Sequence, residues 1–166
     1  MKVKNSTKTL VNGNQAIAWG ALMAGVDFVS HYPGSPVNFV EGELRTLAKK
    51  FNPAIQFNDS LNEHVAALAA AGASYCGARS MVVMKHVGLN IASDPLNYIG
   101  YTGVKGGMVI VVGTDPGANS STGEEDVHWY VPQFNFPLFE TFVRALPNWT
   151  LLLCGRTNEF GIPDNP

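Results

Sequence analysis

The amino-acid sequence predicts an α/β doubly wound fold, with a mainly parallel sheet and helices on both faces. Two nearly continuous β-branched runs, at 80–85 and 107–114, have the composition of strands that are buried on both sides. Helical segments alternate with such strands, and short turns rich in glycine and proline join them. The 166 residues suit one domain of ordinary size, and we expect a single domain over residues 1–166.

The first half of the chain alternates helix and strand. Asn12 and Gly13 open the first predicted helix, and Gly25 suits its C-terminal end. The second helix is amphipathic and finishes in two lysines, which suit a helix C-terminus. The predicted elements are a helix at 14–25, a strand at 26–32, a helix at 37–50, a strand at 54–59 and a helix that begins near Glu63.

The second half contains the two apolar strands and a less regular end. Between the strands, residues 89–103 are helical in character, and Asp94-Pro95 predicts a kink or a restart there. After residue 140 the sequence predicts one strand, TLLLC at 150–154, within a divergent tail at 141–166.

Composition excludes several classes of function. The formal charge of −2 provides no basic footprint, so we expect no nucleic-acid partner. No apolar run approaches the roughly 20 residues of a membrane span, and the N-terminus lacks the apolar core of a signal peptide. We therefore expect a cytoplasmic protein. The two cysteines form no C-x-x-C, so no metal or iron–sulfur cluster is expected on this chain.

Polar residues follow each predicted strand, at the edge where doubly wound sheets bind ligands. The carboxyl ends of the parallel strands meet at this edge, so the residues that follow them are expected to share one rim. These residues are Ser35, Glu63, His86, Asn90, Asp115 and Ser120.

Glu63 has two competing interpretations. In the first, Ser60 and Glu63 form a capping box at the start of the helix. In the second, Glu63 contacts a ligand, and the small residues that follow it keep the helix thin beside that ligand. Spacing alone favours the capping box because such helix-start signatures are common.

Familiar nucleotide and hydrolase motifs are missing from the sequence. It contains neither a P-loop nor a dinucleotide fingerprint, and it lacks G-x-S-x-G and H-E-x-x-H.

Several motifs, in order, resemble one family. They are YPGSP at 32–36, NEHVA at 62–66, AGASY at 71–75, MKHVGLNIASDPL at 84–96, GVKGGMVIVVGTDPG at 103–117, and the pair Ser120-Ser121. The chain resembles the N-terminal pyrimidine-binding domain of the indolepyruvate:ferredoxin oxidoreductase alpha subunits, within the 2-oxoacid:ferredoxin oxidoreductases. The resemblance covers about residues 9–140.

The resemblance implies thiamine diphosphate as the cofactor and assigns roles to individual residues. Glu63 would be the catalytic acid that hydrogen-bonds a ring nitrogen of the aminopyrimidine. An apolar setting would help it to hold a proton by disfavouring the charged form. The resemblance also implies cofactor contacts for Tyr32, Pro33, Gly34, Ser35, His86 and Asn90, and it implies that Asp115, Ser120 and Ser121 border the substrate.

Each of these softer roles has a structural alternative. The 32–36 segment could be simple turn chemistry, and His86 could be a buried histidine with ordinary hydrogen bonds. The loop after residue 114 could be a solvated loop. The resemblance also implies a small residue where this chain has His31, so the turn is expected to have a different shape.

The sequence lacks the G-D-G and downstream Asn that hold a magnesium diphosphate in thiamine enzymes. The resemblance therefore implies a hetero-oligomer, in which partner chains carry the diphosphate-binding half with its Mg²⁺ and the Fe–S clusters, and it leaves open that the chain is a fragment of a longer protein. It further implies a ferredoxin or Fe–S subunit as electron acceptor, a small 2-oxoacid substrate and possibly CoA. The small residues after Glu63 would permit close packing against a neighbouring subunit.

Two other functions stay open at this point. A two-chain, non-oxidative decarboxylase of the sulfopyruvate or phosphonopyruvate type also divides the thiamine site between short chains. A non-catalytic scaffold or regulatory paralogue would keep the fold without turnover.

Overall fold

The computed structural model of the chain describes residues 10–114, 127–128, 130–141 and 149–154. Within them a six-stranded sheet has the order β2-β1-β3-β4-β6-β5. The elements are α1 Gly13–Met23, β1 Phe28–His31, α2 Asn38–Phe51, β2 Gln56–Asp59, α3 Glu63–Tyr75, β3 Ser80–Lys85, α4 Val87–Ile91, α5 Ser93–Thr102, β4 Met108–Gly113, α6 Tyr130–Phe134, β5 Leu138–Thr141 and β6 Trp149–Cys154.

The first four strands are parallel, as predicted. β1 pairs with β2 on one side and with β3 on the other, and β4 continues the parallel ladder beyond β3. After β1 the chain forms β2 on one side of β1, and it then crosses over to form β3 on the other side. The switch point of this topology lies between the carboxyl ends of β1 and β3, where doubly wound sheets bind their ligands.

Helices cover both faces of the sheet, which confirms the predicted class. Successive side chains of a strand point to opposite faces, and β3 shows this directly. Val82 and Met84 pack with α3 and α5 in one apolar cluster, whereas Met81 and Val83 pack with α1 and α2 in the other. All six residues of β3 are buried, as expected of a strand that is covered on both sides.

Helix ends follow local chemistry. Asn12 and Gln15 form a reciprocal capping box at the start of α1. Gly25 follows the end of that helix with φ of +72°, a conformation that suits glycine. The predicted interruption near Asp94-Pro95 is present, but the break falls earlier, between Ile91 and Ser93. Pro95 then lies in the first turn of α5, where its missing N–H costs nothing.

The end of the described chain was only partly predicted. The TLLLC strand is confirmed as β6, and it pairs antiparallel with β4. β5 and α6 are additional short elements that the sequence did not predict, and β5 extends the sheet as a second antiparallel strand. The assignment of one domain to residues 1–166 stays a prediction. Among the described helices, none combines the length and the hydropathy that crossing a bilayer requires.

Candidate functional site at the carboxyl ends of the strands

The N-terminus of α3 places Glu63 at the rim. Glu63 is the first residue of the helix, and only 7% of it is exposed. The helix cap is Asn62, whose side-chain oxygen accepts a hydrogen bond of 2.9 Å from the backbone N–H of Val65. The prediction of a capping box between Ser60 and Glu63 is therefore wrong, because the cap lies two residues later. The carboxyl of Glu63 therefore takes no part in capping the helix.

Ser60 instead joins a polar group at the ends of β1 and β2. Its hydroxyl lies 3.0 Å from the hydroxyl of Ser30 and accepts a hydrogen bond of 2.6 Å from the side-chain amide of Asn58. Asn58 also donates to the Ser30 hydroxyl. This network fixes the strand ends below α3, and it explains why Ser60 does not cap the helix.

Four of the small residues of α3 face the interior of the chain. Ala66, Ala67, Ala70 and Ala71 are at most 2% exposed and belong to the core against the sheet. Their size brings the helix axis close to the sheet. The outward side of α3 also carries small residues, since Gly72 is exposed and Ala69 and Ala73 are half-buried, so the packing of small residues against a neighbouring subunit stays a prediction.

Helix α4 closes over the carboxyl of Glu63 from the β3 side. Gly88 is buried and faces the Glu63 side chain. A β-carbon built on Gly88 would lie 2.5 Å from Cγ of Glu63 and 2.9 Å from its Oε1. The carboxyl is thus held between its own helix and the backbone of the segment that follows β3.

The 32–36 turn lies on the other side of the end of β3. The backbone N–H of Tyr32 donates to the carbonyl of Val83 at 3.3 Å, which extends the β1–β3 ladder. A β-carbon on Gly34 would lie 2.7 Å from Cβ of Lys85, so the turn and the end of β3 are in close contact. The Ser35-Pro36 peptide bond is cis. The exposed Pro33 and Ser35 lie at the outer surface of this turn.

The segment after β3 supplies His86 and Asn90, with different environments. His86 is 4% exposed, and its backbone N–H donates to the carbonyl of Gly113 at 3.0 Å. Asn90 is exposed, and its side-chain oxygen accepts a hydrogen bond from the hydroxyl of Tyr130 in α6. Burial raises the pKa of Tyr130 above its ordinary value, which keeps the phenol protonated as a donor.

An ion network lies beside this site, at the ends of β1 and β2. His31 Nδ1 is 3.2 Å from the carboxylate of Asp59, and Arg45 of α2 bonds both Asp59 and Glu41. His31, Glu41 and Asp59 each place a potential metal-ligand atom within 4.8 Å of the others. Because Arg45 already pairs with both carboxylates, we interpret the group as an ion-pair network at the start of the 32–36 turn.

Burial sets the protonation of His31. Desolvation lowers its pKa from the ordinary 6.5, the nearby Asp59 carboxylate opposes that shift, and the Arg45 guanidinium adds to it. His31 is therefore mainly neutral at pH 7. His31 is held beside the turn by Asp59, and the expected difference in the shape of the turn stays a prediction.

The structure brings together the described members of the predicted rim and adds two residues to it. Glu63, Ser35, His86 and Asn90 all follow the carboxyl ends of the parallel strands, whereas Asp115, Ser120 and Ser121 lie outside the described residues. Sequence reasoning missed Gly88 and the buried Lys85 as site residues. The signal for both was their presence in the MKHVGLN motif, although the motif alone did not distinguish their roles.

A cavity of about 750 Å³ lies at the opposite edge of the sheet, at the amino-terminal ends of β3 and β4. Its lining includes Ala21 of α1, Arg79 and Lys105, and none of the predicted site residues. The candidate site at the carboxyl ends of the strands is therefore distinct from this cavity. A carboxyl on the rim can hold or share a proton with a ligand that a second polypeptide helps to enclose.

Comparisons with known proteins agree on one family. No protein-family model matches the chain. The chain is 38% identical over 159 residues to the indolepyruvate oxidoreductase subunit IorA of Archaeoglobus fulgidus, covering 94% of this chain and 26% of that protein. It is 42% identical over 128 residues to the IorA subunit of Methanothermobacter marburgensis, covering 77% of this chain and 20% of that protein.

A solved structure extends the likeness to three dimensions. A 2-oxoglutarate:ferredoxin oxidoreductase from Magnetococcus marinus, with 2-oxoglutarate, coenzyme A and succinyl-CoA bound, superimposes with a TM-score of 0.58 at 26% identity. The match covers 69% of this chain and 19% of that one. The chain spans about a quarter of the length of the curated relatives that it matches. From these likenesses in sequence and fold, the chain belongs to the 2-oxoacid:ferredoxin oxidoreductase family, with IorA subunits among its relatives.

Proposed function

We propose that the chain is the pyrimidine-binding part of a thiamine-diphosphate-dependent 2-oxoacid:ferredoxin oxidoreductase of the indolepyruvate branch. The observation that carries this proposal is the placement of Glu63. Its carboxyl is buried at the first residue of α3, at the switch-point edge, and it has no part in the helix cap. Homology to IorA subunits over most of the chain supports the same family of reactions.

The residues at the rim fit the aminopyrimidine half of the cofactor. Thiamine diphosphate supplies the electron sink that decarboxylation of a 2-oxoacid requires. Glu63 would hold a proton on a carboxyl oxygen and share it with a pyrimidine ring nitrogen. The Tyr32 to Ser35 turn would lie against the ring, and His86 and Asn90 would line the side below α4. Asp115, Ser120 and Ser121 would border the substrate.

Residues of this chain orient Glu63 and limit its access to water. Gly88 closes one side of the carboxyl, and the first turn of α3 closes another. A carboxyl held in this way meets a ligand in one orientation, and positioning of this kind lowers the entropic cost of proton transfer. General acid–base catalysis depends on such placement within hydrogen-bond reach.

We propose that partner chains complete the site. The outward face of α3 carries Val65 and Leu68, which are 40% and 47% exposed, and Leu61, just before the helix, is 87% exposed. Val65 and Leu68 are three residues apart and share one face of the helix. With Leu61 they form what we call the α3 stripe, and Val87 and Ile91 of α4 are also exposed. A subunit that carries the diphosphate-binding half, with its Mg²⁺, would cover this stripe and meet Glu63 at its upper end. Fe–S clusters and ferredoxin binding would also belong to partner chains.

In the proposed reaction a 2-oxoacid loses carbon dioxide, CoA takes the acyl group, and the released electron pair passes to ferredoxin. Relatives are named for indolepyruvate and ketoisovalerate, and the solved relative holds 2-oxoglutarate and CoA. We place the assembly in the cytoplasm, where thiols stay reduced. The free, exposed thiol of Cys76 is consistent with that compartment.

The proposal is tested by native purification from the source organism, followed by assays of ferredoxin reduction with indolepyruvate, 2-oxoisovalerate and 2-oxoglutarate. We expect a second chain in the purified assembly and thiamine-diphosphate-dependent reduction with indolepyruvate preferred. Carbon dioxide release without ferredoxin reduction would instead support the two-chain decarboxylase. An assembly that binds no thiamine diphosphate and turns over none of the three acids would support the scaffold or regulatory function.

A further inference from the structure

Gly88 and Glu63 share a space that has room for only one side chain. A β-carbon built on Gly88 would lie 2.5 Å from Cγ, 2.9 Å from Oε1 and 3.0 Å from Cδ of Glu63. Optimal contacts between non-bonded carbons lie at about 3.5–4.0 Å. The Glu63 side chain therefore occupies the position that any other residue at 88 would require for its own side chain.

The backbone does not explain the glycine at this position. Gly88 is helical within α4 and is absent from the glycines with positive φ, which in the described residues are Gly25, Gly77, Gly103 and Gly107. Within a helix, alanine is favoured over glycine. Gly42 in α2 provides the contrast, because a β-carbon there would meet nothing within 4 Å. A side chain at position 88 would thus meet Glu63, whereas a side chain at position 42 would meet open space.

We infer that Gly88 is a positioning residue for Glu63. Its missing side chain lets the α4 backbone lie directly against the carboxyl, which confines Glu63 to one orientation and excludes water from that side. A substitution at 88 would turn the carboxyl away from the place where it meets the cofactor. The contact between Gly88 and Glu63 is seen directly in this chain. The expected effect of Gly88 on proton transfer rests on the proposed function.

A double-mutant cycle on the full chain tests the contact without the cofactor. In the Glu63 background, Gly88→Ala should lower the melting temperature by about 2–10 °C, the range expected for overpacking in a protein of this size. In the Glu63→Ala background the blocking atoms are gone. There Gly88→Ala should leave the melting temperature unchanged or raise it by up to about 4 °C, because alanine is the better helix former.

Gly42→Ala is the matched control and should shift the melting temperature equally in both backgrounds. If Gly88→Ala also produced the same shift in both backgrounds, the two residues would not be coupled and the inference would be overturned.

The consequence for chemistry is measured by hydrogen–deuterium exchange at C2 of bound thiamine diphosphate in the assembled complex. Gly88→Ala should slow the exchange by about 10²-fold, the loss that a displacement of about 1 Å can cause, and Gly42→Ala should leave it unchanged. If Glu63→Gln were slow while Gly88→Ala exchanged at the wild-type rate, the positioning role would be wrong. Wild-type exchange in Glu63→Gln would overturn the proposed function, and the unfolding cycle alone would then decide on Gly88.

Discussion

At the scale of single residues, the start of α3 shows that neighbouring polar side chains can make different hydrogen bonds. Ser60, Asn62 and Glu63 all belong to residue types that occur at helix starts, and the spacing of Ser60 and Glu63 suggested a capping box. In the structure Asn62 caps the helix, and Ser60 bonds to Ser30 and Asn58 at the strand ends. Sequence spacing cannot choose among adjacent candidates, because Ser30, one of the two partners of Ser60, lies 30 residues away in the chain.

The role of Asn62 leads to a prediction on stability. Asn62→Ala should lower the free energy of unfolding by about 0.5–2 kcal/mol, because the N–H of Val65 loses its acceptor. Asn62→Asp keeps an acceptor oxygen and should stay close to the wild type. Urea unfolding of the full chain measures both variants. A loss in Asn62→Asp as large as in Asn62→Ala would contradict this assignment of the cap.

Contacts between residues that are distant in the chain also explain which candidate site residues the sequence predicted and which it missed. Glu63 and the described members of the rim follow predicted strands, so the edge-of-sheet rule places them correctly. Gly88 and Lys85 were missed because their importance lies in what they touch. Gly88 contacts Glu63, which is 25 positions earlier in the chain, and Lys85 contacts the 32–36 turn.

At the scale of elements, buried runs and regular helix–strand alternation were predictable, whereas α6 and β5 were not. The buried runs predicted β3 at its observed bounds and β4 with one extra residue at each end. β1 and β2 have only four residues each, but they lie between predicted helices, whereas α6 and β5 lie in a part of the sequence with little periodicity. The break between α4 and α5 was placed at Asp94-Pro95, but proline is tolerated in the first turn of a helix, so the break could lie before it.

The ends of β1 and β2 carry a prediction on pH dependence. Burial lowers the pKa of His31 below 6.5, despite the opposing Asp59 carboxylate, so the unfolded chain takes up a proton at higher pH than the folded chain does. The contribution of His31 to stability is therefore complete above pH 6.5 and is lost as the pH falls through the lowered pKa. Arg45 and Glu41 complete the charges that face this group.

We expect the free energy of unfolding, measured with urea between pH 7.5 and 5.5, to fall more steeply in the wild type than in His31→Gln. His64 in α3 provides the comparison, because it lies outside this ion network. The slope of His64→Gln should match the wild type. If the free energy of unfolding fell equally steeply with pH in the wild type and in His31→Gln, burial of His31 would not be the cause of the pH dependence.

At the scale of the whole molecule, the distribution of apolar surface indicates how the chain assembles. Four alanines of α3 pack inside the fold, whereas Val65 and Leu68 of the same helix and Leu61 just before it are exposed. Larger exposed apolar patches mark interaction surfaces. The chain spans about a quarter of the length of its IorA relatives. Most of each relative therefore lies outside the matched region.

Leu68→Lys should therefore weaken association with the diphosphate-binding subunit by about tenfold or more while the isolated chain keeps its stability, since only a surface side chain changes. Met23→Lys is the control, because Met23 is 80% exposed at the end of α1 and lies outside the stripe. Native mass spectrometry of the complexes at several protein concentrations measures the association. Equal loss of the complex in both variants would argue against the α3 stripe as the interface.

We propose that the Glu63 carboxyl shares a proton with the pyrimidine of thiamine diphosphate. Glu63→Gln keeps the shape of the side chain and leaves the Asn62 cap intact, so the stability of the chain should barely change. The loss should be confined to proton transfer and should reach about 10²-fold or more, the usual scale for a positioned acid–base group.

The most direct measurement is the rate of hydrogen–deuterium exchange at C2 of thiamine diphosphate, followed by NMR in the assembled complex of wild type and Glu63→Gln. We expect exchange to slow by about 10²-fold or more in the variant while unfolding and assembly match the wild type. Exchange at the wild-type rate in Glu63→Gln would contradict the assignment of Glu63 as the cofactor acid.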